Sequence, residues 1–96
     1  MLINKGVSAG EVVTFKLTSG EEVVAKLVEE TETYYKLSRP MVLSMSPQGV
    51  GMMPYLFTVH PDTDVKLNKT TITMVEATDK SFADQFLQST TGIKLA

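Results

Sequence analysis

The run Tyr34-Tyr35-Lys36-Leu37 sets two aromatics and a cation in consecutive positions. If it is a strand with Tyr35 and Leu37 turned to a core, Tyr34 and Lys36 face out together. An exposed aromatic face can stack on a base, and a neighbouring lysine can donate to a base edge or a phosphate. Asn68 and Lys69 lie at a later reversal and add two more donors. One stacked base contributes about 1–3 kcal/mol, so a single pocket of this kind is weak and repeated pockets would supply avidity. The same residues also fit plainer roles. Tyr34 fits a surface tyrosine packed on a cross-strand neighbour, and Lys36 and Lys69 fit solvated lysines paired with Glu32. The acidic run Glu29-Glu30-Thr31-Glu32 works against a polyanion, because like charges repel.

Catalytic chemistry finds little to work with. His60 stands near Asp62 and Asp64, a spacing that suits an acid–base pair or a metal, but it suits a turn with two capping aspartates better. There is no second histidine and no cysteine, so neither a histidine-rich nor a thiolate metal site can be assembled. No nucleophile with an adjacent base and no glycine-rich phosphate loop is present. The expectation is a protein that is not an enzyme, with no metal and no cofactor.

With 96 residues, 43% of them apolar, the chain makes one domain spanning 1–96. A chain this short buries only about 60–65% of its unfolded surface, which leaves one small core. Nine basic against 11 acidic residues give a formal net charge of −2, which produces no global field to draw in nucleic acid or an anionic membrane. Basic residues must therefore be gathered locally or repeated around an oligomer. No apolar run approaches the ~18 residues of a membrane span, and Met1-Leu2-Ile3 is followed at once by Asn4, Lys5 and Gly6, unlike a signal peptide. A soluble, cytoplasmic protein without membrane contact is expected.

Short alternating segments dominate the pattern. Val13, Phe15 and Leu17 alternate with Thr14, Lys16 and Thr18, and Val23, Ala25 and Leu27 resume the phase after a turn at Thr18–Glu21 with Gly20 in it. The acidic run 29–32 reads as the next connection. Thr33–Leu37 is β-prone, and Arg39-Pro40 demands a bulge or an edge because proline cannot donate to a ladder. Met41, Leu43 and Met45 then extend the alternation to a turn at 46–51. A further strand is expected over about Met53–His60, with Tyr55, Phe57 and Val59 on one face. Val65 and Leu67, a reversal at Asn68-Lys69-Thr70, and a last strand over Thr71–Glu76 follow. Thr78 or Asp79 can cap a helix whose face is Phe82, Phe86 and Leu87, with Gly92 beyond its end and Ile93 and Leu95 docking on a neighbour. That helix face is expected to cover an open end of the barrel. The fold class is all-β: a small, strongly bent five-stranded open barrel over about 11–77, then a C-terminal helix over about 79–91. Four of the six methionines gather around the long loop (Met41, Met45, Met52 and Met53) as adaptable core filler, with any exposed subset marking a subunit or partner contact.

The segment VVTFKLTSGEEVVAKLVEE resembles the first signature of Sm-like proteins, the Lsm and Hfq-type small RNA-binding barrels of SH3-like form. Gly20 falls on that family's turn glycine, and Ala25 stands where another glycine is common. Glu32-Thr33-Tyr34-Tyr35-Lys36-Leu37 lies over its Asp-x-aromatic-apolar-Asn-Leu segment. Leu67 to Val75 follows the second signature loosely, with Asn68-Lys69 in place of Arg-Gly. The resemblance covers about residues 12–76. It departs in lacking an N-terminal helix and in its long stretch from Pro40 to Asp64. Short members with a proline-methionine loop and a C-terminal helix are similar to those carried by tailed bacteriophages.

The resemblance implies a homo-oligomeric ring, pentamer to heptamer, made by pairing the last strand of one subunit with the fourth strand of the next. It also implies single-stranded RNA as partner, Tyr34 stacking on a base, Lys36 donating in place of the family's asparagine, and Asn68 and Lys69 closing the pocket. The physics of open sheets agrees with the ring, because head-to-tail pairing consumes both free edges. A structural or assembly ring that keeps the fold without a nucleotide site fits the altered asparagine and Arg-Gly positions and the acidic charge. A peptide-binding module built on the Met-rich loop is a third reading.

Overall fold

The computed structural model describes residues 6–91. Its elements are β1 (Val12–Leu17), β2 (Glu22–Glu30), β3 (Tyr34–Ser46), β4 (Gly49–Pro54), β5 (Val65–Asn68), a one-turn 3₁₀ helix (Lys69–Thr71), β6 (Ile72–Ala77) and α1 (Lys80–Thr91). Six antiparallel strands form one open, bent sheet in the order β4-β3-β2-β1-β6, and β5 pairs with the first half of β3. The all-β class and the C-terminal helix are as expected, but the strand count is six rather than five.

The sheet bends where one strand carries an extra residue. Val24 faces Met41 and Lys26 faces Ser38, so Arg39 and Pro40 together oppose Ala25. Arg39 takes up the bulge at φ 54, a left-handed conformation that a side chain resists. This is the irregularity that Arg39-Pro40 foretold. A second bulge lies at Val28 in β2, and a third at Thr73, where β6 slips against β1. The β1–β2 turn closes with Gly20 at φ 108, its N–H donating to the Leu17 carbonyl at 2.9 Å.

The bulge has a consequence the alternation did not show. Before it, Tyr35 and Leu37 point into the barrel with Val13, Phe15, Val23 and Leu27, and the Phe15 and Tyr35 rings meet edge to face at 5.1 Å. After it the phase inverts. Met41 lies with Val24 and Phe86 in a second cluster on the other side of the sheet, with Leu43 and Met52 packed against it. Helix α1 therefore covers the outer face of the sheet rather than the barrel's open end. Asp79 caps it by accepting the Ser81 N–H at 3.2 Å, while the Thr78 hydroxyl is spent on Thr14 at 2.7 Å. Of its expected apolar face only Phe86 is buried, and Phe82 and Leu87 stay exposed. Gly92, Ile93 and Leu95 lie outside the described residues.

Two further expectations are corrected. Glu29 and Glu30 belong to β2, and the strand expected over 53–60 lies instead over Gly49–Pro54. β4 begins earlier, at Gly49, and stops at Pro54, because Met53 and Met52 pair with Val42 and Leu43 in a hairpin turning at 47–48. Residues 55–64 are irregular: Tyr55 packs on the barrel core, whereas Phe57 is 74% exposed. Met45 and Met74 are exposed as well, so the methionines are only partly core.

Candidate nucleic-acid interface

β3 and β5 place the candidate residues. Tyr35 and Leu37 are drawn inward by the core, so Tyr34 and Lys36 emerge on the opposite face. Val65 and Leu67 pack on the same core, which turns Lys66 and Asn68 outward beside them. The register then sets Tyr34 directly opposite Asn68 and Lys36 directly opposite Lys66. The turn into β3 is held by Thr31, whose side-chain oxygen accepts the Tyr34 N–H at 3.1 Å and whose own N–H donates to the Tyr34 carbonyl at 2.8 Å. Tyr34 thus sits half-buried at a fixed strand end.

Three of the four expected residues, Tyr34, Lys36 and Asn68, come together on this outer face. Lys69 does not join them. Entering the 3₁₀ turn, its N–H donates to the Thr33 carbonyl at 2.9 Å, and its ammonium lies 2.6 Å from Glu30 and 4.9 Å from the Tyr35 ring centroid. Tyr35 is a core side chain, so Lys69 serves as a lid on the barrel interior. The hydrogen bond to Glu30 holds the Lys69 ammonium protonated beyond its ordinary range. Burial pushes the Tyr35 phenol up, and the Glu30 charge pushes in the same direction. The lysine partners differ from the expected Glu32: Lys36 pairs with Glu29 at 3.6 Å and Lys69 with Glu30.

Lys66 was missed. Its ammonium lies 5.2 Å from the Tyr34 ring centroid, a cation–π contact on the ring offered for stacking. The alternation of Val65 and Leu67 did carry the signal that Lys66 points outward, but its neighbour across the ladder depends on how β5 docks on β3.

The loop around His60 is a turn. The His60 Nδ1 accepts the Asp62 N–H at 3.1 Å, and the Asp62 carboxylate takes the Arg39 guanidinium at 2.6 Å. Among the described residues no three of His, Asp and Glu gather into a site that could hold a metal ion. Beside this loop lies an apolar groove of about 510 Å³, walled by Pro40, Met52, Pro54, Phe57 and the last turn of α1. Among the described residues no helix is long and apolar enough to cross a membrane. No family model and no curated protein matches this chain.

Proposed function

We propose that the protein is a non-catalytic, Sm-like ring protein that binds single-stranded RNA by stacking on Tyr34 and by lysine and asparagine contacts, in the cytoplasm of a bacterial cell or a phage-infected host. The observation that carries this reading is the register of β3 on β5, which seats Tyr34 against Asn68 with Lys36 one turn of the pleat away, all turned from the core. An aromatic plane flanked by donors on a rigid sheet is what sequence-tolerant base stacking requires. The ring is supported by the sheet order, in which β4 and β6 stand at the two ends and, among the described residues, no strand pairs with their outer edges. Within β4 no charged side chain protects that edge, and from Pro40 to Val59 no Lys, Arg, Asp or Glu occurs at all. Such an edge is disposed to pair with another strand.

The test is titration of the full chain with labelled uridine-rich and adenosine-rich RNA at two salt concentrations, alongside native mass measurement. A pentamer to heptamer that binds in a salt-sensitive way, with binding lost in Tyr34→Ala, supports the proposal. A ring without RNA binding at micromolar concentration favours the second reading, a structural or assembly ring. That reading draws on Lys69, whose pairing with Glu30 takes one expected RNA donor away from the face. A monomer that binds no RNA ends both.

A further inference from the structure

We infer that Lys36 and Lys66 form a phosphate clamp beside Tyr34, so that a bound single strand runs along the outer face of β3 and β5 while Lys69 serves the fold. The inference rests on the RNA-binding reading above and specifies which cations that site uses.

Lys36 and Lys66 are direct partners on an antiparallel ladder, so their side chains leave the same face side by side. Like charges in that position destabilise the pair, and the sheet tolerates them here although any polar neutral residue would keep the alternation. Lys36 is partly compensated by Glu29, at 3.6 Å. Lys66 forms no ion pair among the described residues, and its ammonium rests against the Tyr34 ring instead. An anion between the two ammonium groups would relieve the repulsion. A nucleotide supplies that anion at the distance of its own sugar from a base, and the base would take the ring face that Lys66 now occupies. Lys66 must then swing from the ring to the phosphate, which couples base stacking to phosphate contact. Lys69 lies in the 3₁₀ turn rather than on this ladder, and a carboxylate at 2.6 Å and a core ring hold it together.

The experiment measures affinity of the full chain for a fluorescein-labelled uridine-rich oligoribonucleotide between 50 and about 200 mM salt, the range over which counterion release is read. Lys66→Ala should weaken binding about fivefold at 0.1 M salt and lower the salt slope by about 0.7, the value for one phosphate contact on a single strand. Lys66→Glu is the sharper variant. Facing Lys36, the new carboxylate should raise the melting temperature while abolishing binding, opposite signs that a merely structural lysine would not give. Lys69→Ala should lower the melting temperature and leave the salt slope unchanged. Wild-type binding with an unchanged slope in Lys66→Ala, or a slope that falls in Lys69→Ala instead, overturns the clamp and leaves RNA binding standing. Absence of wild-type binding overturns both.

Discussion

Phe86 is the residue by which α1 holds the sheet, and its removal has a calculable cost. It is the one fully buried apolar side chain of the helix, 1% exposed, and it packs on Val24 and Met41. A buried phenylalanine takes roughly 150–250 Å² out of water, which at ~25 cal/mol/Å² is at most about 4–6 kcal/mol. Truncations of buried phenylalanine cost about 3–5 kcal/mol, in agreement. A domain of this length has about 5–14 kcal/mol in all, so Phe86→Ala should remain folded yet lose a large share of its stability. The loss is bounded by the docking energy of the helix. The inner cluster of Val13, Phe15, Leu27 and Leu37 contains no α1 residue, so the barrel does not need the helix to keep its core. A detached 12-residue helix is too short to persist alone. Phe86→Ala should therefore lose helical circular dichroism and the amide protection of α1, and melt roughly 12–40 °C lower at about 4–8 °C per kcal/mol. An unchanged helical signal with a melting temperature within about 4 °C of wild type would refute the anchoring role. Complete unfolding would refute the independence of the two clusters.

Other outcomes follow from the same structure. Arg39 occupies left-handed backbone, so Arg39→Gly should be more stable than Arg39→Ala by about 1–2 kcal/mol in urea denaturation, both variants having lost the exposed pair with Asp62 equally. Equal stabilities would show that the bulge carries no strain. Tyr35 and Lys69 both hold their protons more tightly when folded, through burial in the first case and the Glu30 hydrogen bond in the second. The unfolded chain therefore gives up those protons first, so the stability these two groups contribute is full below about pH 10 and is lost as pH rises through the folded values. Denaturant melts from neutral to strongly alkaline pH check this, and Tyr35→Phe should make the decline shallower. Gly20→Ala places a side chain at φ 108 and should destabilise by at least about 1 kcal/mol in the same assay.

Much of this architecture was legible in the order of residues, because strand periodicity and turn chemistry are local. Alternation at Val13, Phe15 and Leu17, the glycine turn after it, the disruption at Arg39-Pro40 and the aspartate cap of α1 each depend on a few neighbouring residues, and all four are found where expected. Where a side chain ends up after a bulge is not local. One extra residue at Arg39-Pro40 moved Met41, Leu43 and Met45 to the other face, and the pairing of Met52 and Met53 with β3 ended a strand expected to continue to His60. The outward face of Tyr34 and Lys36 could be read from the core phase of their neighbours, but which lysine joins them could not. That choice was made by the docking of β5 on β3, which brings Lys66 to the Tyr34 ring, and by the 3₁₀ turn, which carries Lys69 to Glu30. A side chain's alternation belongs to its own strand, whereas its neighbours across the ladder are set by a register that only the packed sheet selects.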